Sequence, residues 1–131
     1  MTRYADRIDA LARRAERDRQ AFERGEVPAT PAQALTYLRE GVGPAVALYI
    51  DARTGNETVR FSHREFDRLE RAMNDWLALY TACHGVRTEP EFTVREAAQL
   101  LIDTHHIGDV ARLLTKVPAR EPGAPARDAR E

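Results

Sequence analysis

The chain has 131 residues, of which 43% are hydrophobic and 31% are charged. This length is typical of one domain. The net charge at pH 7 is −1, from 20 basic and 21 acidic residues. This balance argues against non-specific nucleic-acid binding and against attachment to an anionic membrane surface, because both usually need a basic excess. The single cysteine, Cys83, excludes an internal disulfide and any zinc site built from several cysteines.

The ends and apolar runs of the sequence predict a cytoplasmic protein. The longest apolar run covers residues 45–50, which is far shorter than a membrane span. The first residues include the charged Arg3 and Asp6 rather than an apolar segment, so we expect no secretory signal peptide.

Three capping signatures predict where helices begin. Ser62 and Thr93 are each followed three residues later by glutamate, the pattern of a capping box. Thr30 is followed by proline, which is common at the first position of a helix. Three glycines follow predicted helices and are expected to end them in the left-handed conformation: Gly25, Gly41 and Gly85.

Apolar periodicity predicts helices over residues 3–24, 31–40, 63–84, 94–104 and 107–116. The helix at 63–84 has the clearest pattern, and its Met73 and Trp76 are expected in the core. The first helix is expected to be peripheral, occupying residues 1–25 of a single helical domain at 1–118. Residues 119–131 contain no large apolar side chain and predict a disordered C-terminal tail.

Residues 44–53 fit two structures. A proline at the start and several alanines favour a helix. The alternative is a strand that pairs with residues 59–61 across a turn at 54–56, because Val46, Leu48 and Ile50 alternate with other residues. The predicted fold is therefore all-α, a small bundle of five to six helices, with one short β-hairpin around residues 45–61 as the alternative.

The first helix carries an apolar stripe that is a candidate for partner binding. Its members recur at alternating steps of four and three residues, which places them on one face. They are Tyr4, Ile8, Leu11, Ala15 and Phe22. One hypothesis is that the stripe pairs with a second copy or docks on a larger partner, in which case Leu11→Asp would lower association and leave helicity intact. The alternative is that it packs on the helix at 63–84 of the same chain.

The segment at 93–101 carries a resemblance to a DNA-binding motif. It reads Thr-Val-Arg-Glu-Ala-Ala-Gln-Leu-Leu and precedes a second short helix that contains Val-Ala-Arg-Leu-Leu at 110–114. It resembles the first helix of a helix-turn-helix of the excisionase or MerR-like type. The resemblance implies a DNA-binding hairpin at 93–116, and its candidate nucleic-acid residues are His105, His106, Arg112 and Lys116. The alternative is an ordinary helical hairpin, because Asp109 in the first turn of the second helix would repel phosphate.

No pattern in the sequence predicts catalytic, cofactor-binding or metal-binding residues. Cys83 and His84 are adjacent, as are His105 and His106, and adjacent residues on a helix point about 100° apart. Ser62, the single serine, is already assigned to a cap. No phosphate-binding glycine loop occurs.

The function expected from the sequence is therefore that of a small, non-enzymatic helical interaction or assembly protein. Such a protein would be a subunit or accessory of a larger complex. It would act through the first helix or the hairpin at 93–116, by binding a protein partner or by self-association. The alternative function is a small DNA-binding regulator that uses the same hairpin.

Overall fold

The structure is a computed structural model that describes residues 3–55 and 59–118. Within these residues the chain forms six α-helices and one π-helical segment, and the all-α prediction is confirmed for this part of the chain. The predicted tail at 119–131 lies outside the described residues. The helices are α1 (Ala5–Glu23), α2 (Pro31–Tyr37), α3 (Gly43–Thr54), α4 (His63–Cys83), α5 (Val94–Thr104) and α6 (Ile107–Thr115), with the π-helical segment at Leu38–Val42.

Helix α4 is the centre of the bundle, and all five other helices contact it. Met73 and Trp76 are fully buried, which confirms their predicted place in the core. The predicted capping box is present at the start of α4. The Glu65 backbone N–H donates to Ser62 Oγ at 3.1 Å, and the Ser62 N–H donates to Glu65 Oε1 at 2.8 Å. Helix α5 begins with the same arrangement at Thr93.

The hairpin alternative for residues 45–61 is wrong. Residues 43–54 form α3, and no residue in the described ranges belongs to a strand. The five buried residues of α3 follow helical spacing: Ala45, Val46, Leu48, Tyr49 and Ala52. The alternation that suggested a strand is therefore part of a helix that is buried over more than one face. Val59 follows as a connector and donates its N–H to the Ala52 carbonyl at 3.0 Å.

The helix end predicted at Gly41 is also wrong, because the chain continues through the π-helical segment into α3. Gly41 faces the indole of Trp76, and a Cβ atom built there would lie 2.3 Å from Trp76 Cδ2. The glycine therefore permits close packing of the segment on α4 rather than a left-handed turn. The other two glycines do end helices as predicted, since Gly25 has a φ of 72° and Gly85 a φ of 82°.

None of the helices in the described ranges is both long and apolar enough to cross a membrane.

Candidate functional site

The apolar stripe of α1 lies in the chain's own core. Tyr4, Ile8, Leu11 and Ala15 are at most 8% exposed, and Phe22 packs partly buried against the same core. Helix α1 makes its most extensive helix–helix contact in the described part of the chain with α4, whereas Tyr4 packs edge-on against Phe61 and donates to Asp51 of α3. The stripe is therefore covered by its own chain, which is the alternative to its pairing with a second copy or a larger partner. A partner of α1 would therefore meet its other faces.

Asp18 interrupts the apolar stripe for a structural reason. Its Oδ2 accepts a hydrogen bond of 2.8 Å from the indole N–H of Trp76. The buried tryptophan thus has a polar partner at the edge of the core, which avoids the cost of an unpaired buried N–H group.

Cys83 and His84 carry chemically reactive side chains, and both side chains are buried in the fold. Cys83 is buried, and this burial raises the pKa of its thiol to about 11. At neutral pH the sulfur is therefore protonated and a poor nucleophile. His84 is also buried and packs edge-on against Tyr80, with ring centroids 4.9 Å apart. Within the described ranges, no group of three or more histidine, cysteine or acidic side chains is placed to hold a metal ion.

Cys83 is expected to react slowly with iodoacetamide at about pH 8, because its raised pKa leaves about a hundredfold less thiolate than in the unfolded chain. The labelling rate in native buffer and in urea measures this difference, and equal rates would contradict the burial of the thiol. The folded thiol keeps its proton to higher pH than the unfolded one. The stability that Cys83 contributes is therefore full below about pH 9 and is lost as the pH rises towards 11.

The four candidate nucleic-acid residues lie at helix ends in the α5–α6 hairpin. His105 and Lys116 follow α5 and α6 and have positive φ angles of 57° and 64°. His106 caps α6, its Nδ1 accepting from the Asp109 backbone N–H at 3.3 Å. Arg112 pairs with the Asp109 carboxylate at 3.5 Å, so its charge is partly compensated within α6.

The four candidate residues are therefore spread along the hairpin and do not form one cluster. His106 and Lys116 stand at opposite ends of α6, about 15 Å apart along its axis. On α5, Ile102 is 51% exposed and is the more exposed of two large hydrophobic residues at the described surface. The hairpin therefore offers one apolar side chain and scattered charges.

A polar furrow runs between α1 and α4. Its wider part has a volume of about 620 Å³ and is lined by both acids and arginines, including Glu16, Glu23, Arg68 and Arg71. A narrower part of about 400 Å³ continues along α4 to the segment at 88–93. Arg19 and Asp75 line both parts and form an ion pair of 2.9 Å.

The Arg19–Asp75 pair does not fully offset the burial of its carboxylate. Burial raises the pKa of Asp75, and the opposing pull of the nearby Arg19 does not cancel that effect. The cost of removing the carboxylate from water thus outweighs the attraction of the guanidinium. The furrow is a surface where charges of both signs already compensate one another.

Asn74 fastens the segment at 88–93 to α4. Its Nδ2 donates to the Phe92 carbonyl at 2.9 Å, and its Oδ1 accepts from the Phe92 N–H at 3.0 Å. The side chain thus pairs with the backbone as a neighbouring strand would. Glu70 assists by accepting the Val94 N–H at 2.9 Å.

We expect Asn74→Ala to lower the free energy of unfolding by about 2 kcal/mol, because two partly buried backbone groups lose their partner. Chemical denaturation followed by circular dichroism measures this loss. Gln99→Ala is the matched control, since Gln99 is exposed and its amide donates to Asp103 Oδ1 on the same helix at 3.0 Å. Equal stability of the two variants would contradict the role of Asn74.

The charged residues of α1 are sorted into two flanks. Asp9, Glu16 and Glu23 recur every seven residues and lie on the flank towards α4. Asp9 pairs with Arg68 of α4 at 2.9 Å, and Glu23 pairs with Arg19 at 3.3 Å. The acidic flank thus has arginines of the same chain as its neighbours.

The opposite flank of α1 carries a row of arginines. Its members are spaced by three and four residues, so they lie along one line of the helix. We name this set the arginine row: Arg7, Ala10, Arg14, Arg17, Ala21 and Arg24. It extends for about 25 Å, and Arg3 continues the spacing before α1 begins. Arg13 and Asp6 lie beside the row on one side, and Asp18 lies between the row and the apolar stripe, four residues after Arg14.

The chain compensates little of this positive charge. Arg24 pairs with Glu26 at 2.6 Å, whereas Arg7 and Arg17 form no ion pair within residues 3–55 and 59–118. Arg14 donates to the backbone carbonyl of Glu40 rather than to a carboxylate. The arginine row is therefore a basic surface on a protein of nearly neutral net charge.

Two guanidinium groups of the row are held against aromatic rings. The Arg7 Cζ lies 5.4 Å from the ring centre of Tyr4, and the Arg14 Cζ lies 5.6 Å from that of Trp76. Cation–π contacts of this kind restrict the side chains before any partner arrives. A partner would therefore lose less side-chain entropy on binding them.

Net-charge reasoning missed the arginine row. Residues 1–30 contain seven basic and six acidic residues, so their total of +1 hides the separation of the two signs. The signal is present in the sequence as arginines at the 3–4 spacing, offset from the apolar stripe. Projection of the charged residues on a helix would have found it.

No curated protein and no solved structure matches this chain. One family model matches residues 2–119, which is most of the chain. On that match, the chain belongs to the family described as Domain of unknown function (DUF8055).

Proposed function

We propose that this protein is a non-enzymatic interaction protein, a subunit or accessory of a larger complex, and that the arginine row of α1 is its main contact surface. The observation that carries the proposal is the positive charge of that row, in which Arg24 is the one arginine that forms an ion pair among the described residues. The acidic flank of the same helix has arginine neighbours in α4, whereas the row has few acids of the chain beside it. A surface of this kind is suited to a partner that supplies the missing acids.

The arrangement of the reactive groups supports the same proposal. Cys83 and His84 are buried, and Ser62 accepts a backbone N–H as a helix cap. Their positions in the core and at a helix cap are those of structural residues. Arg7, Arg17 and Arg24 of the arginine row are instead exposed, which favours binding over catalysis.

Affinity capture from the organism that encodes the chain tests the proposal. Tagged wild-type protein is compared with Arg7→Glu/Arg17→Glu, which reverses two charges of the row. The matched control is Arg64→Glu/Arg95→Glu, which makes the same charge change in the first turns of α4 and α5, where acids are favourable.

A stoichiometric partner that is lost from the row variant and kept by the control supports the proposal. Equal recovery of every captured protein by all three would show that the row is not the contact surface. Light scattering measures the mass of each variant in solution and so reports its oligomeric state. Circular dichroism confirms that each is folded.

A further inference from the structure

We propose that the arginine row binds an acidic α-helix of a different protein, side by side with α1; this rests on the proposed function and names its partner chemistry. The proposal depends on the spacing of the row, on its two alanines and on the shortage of acids beside it. All three features belong to the exposed surface of α1.

The spacing of the row fits a helix better than an extended chain. Steps of three and four residues average 3.5, which is the period at which two helices keep contact along a shared line. The row therefore meets a second helix at every turn, with an arginine at four of its six positions. Acids at the same spacing on the partner would face them in register.

The two alanines leave room for the partner backbone. Ala10 is exposed and Ala21 half-exposed, and each lies between arginines of the row. Helix axes pack 8–10 Å apart when small side chains lie at the contact. Arginines on either side can then reach carboxylates while the two helices touch at the alanines.

Charge complementarity favours a partner protein over the other occupants. A second copy would have to offer its acidic flank, but Asp9 and Glu23 already form ion pairs in the chain. Nucleic acid is attracted by a basic excess that this chain, with a net charge of −1, does not have. Salt screens charges beyond about 8 Å, so either ligand would respond mainly to the local field of the row, and the helical spacing and the two alanines are what favour an acidic helix.

Fluorescence anisotropy of a labelled synthetic peptide tests the inference on the full chain. The peptide is an alanine-based helix of about three heptads, with glutamate at the 3–4 spacing on one face. A peptide with glutamine at the same positions is its uncharged control. We expect the glutamate peptide to bind at least about tenfold more tightly than the glutamine peptide at low salt. This preference should disappear at about 0.5 M NaCl, where the Debye length is only a few ångströms.

Three variants link that binding to the row. Arg7→Glu/Arg17→Glu should weaken binding by about tenfold or more, and Arg64→Glu/Arg95→Glu should leave it within about twofold. Ala10→Gln adds bulk without charge at an exposed position, so the fold is expected to tolerate it. It should weaken binding of a closely packed helix several-fold, whereas attraction to a phosphate chain would barely change.

Four results would overturn the inference. The first is an absence of glutamate-peptide binding at low salt, and the second is equal binding of the glutamine peptide. The third is tighter binding of single-stranded RNA or duplex DNA than of the glutamate peptide. The fourth is a wild-type dimer in light scattering that dissociates in Arg7→Glu/Arg17→Glu, which would assign the row to a second copy. If the glutamate peptide does not bind but affinity capture finds a protein whose binding depends on the row, the inference of a helical partner is overturned. The proposed function then stands.

Discussion

Leu11→Asp is expected to unfold the domain. Leu11 is 8% exposed and belongs to the core between α1 and α4. Its replacement removes about 2 kcal/mol of apolar burial and places a carboxylate among apolar side chains. We expect a total loss of about 5 kcal/mol, which is comparable to the whole stability of a small domain.

Urea unfolding followed by far-ultraviolet circular dichroism measures this effect. Ala10→Asp is the matched control, because it adds the same charge one residue away at an exposed position. It should change the free energy of unfolding by less than about 0.5 kcal/mol. Full helicity and normal stability of Leu11→Asp would contradict the packing of the apolar stripe on α4. It would restore the hypothesis that the stripe is an external interface.

Gly41→Ala is the second substitution with a large expected effect. Helix propensity alone predicts a gain of about 1 kcal/mol, because alanine is the better helix former. The structure predicts the opposite sign. The added Cβ would lie 2.3 to 2.6 Å from three atoms of the fully buried Trp76 indole. The ring or the π-helical segment must move, and we expect a loss of about 3 kcal/mol.

The fluorescence of Trp76, the single tryptophan, reports this change directly during denaturation. Gly25→Ala is the control, because nothing lies within 4 Å of its added Cβ and its cost is limited to the positive φ. That cost is about 1 kcal/mol. In a double-mutant cycle, Trp76→Phe should relieve part of the Gly41→Ala loss because the smaller ring leaves space. Additive losses would show that the Gly41–Trp76 contact is not the cause.

Much of the fold was predictable because its signals are local. The capping boxes at Ser62 and Thr93 place two helix starts through hydrogen bonds that span only three residues. The periodicity of α4 identifies Met73 and Trp76 as core residues, because one face of a long helix must be buried. Such interactions depend on neighbours in sequence and need no knowledge of the tertiary structure.

The errors occur where a distant residue decides the local conformation. Gly41 looks like a helix end, yet it lies inside a continuous helical segment, where the lack of a side chain leaves room for the Trp76 ring. Residues 43–54 alternate like a strand, yet they form α3 because the bundle buries more than one of its faces. Propensity is a weak prior, and tertiary packing overrides it at both places.

For the candidate site, too, some properties follow from the sequence alone and others depend on tertiary packing. The sequence by itself determined that α1 is amphipathic, that it carries arginines at helical spacing and that the chain has a nearly neutral net charge. Only the tertiary structure decided which face of α1 is buried and which charges are compensated by α4. The reason is that helical periodicity fixes how residues are arranged around one helix, whereas burial and ion pairing depend on the second helix that packs against it.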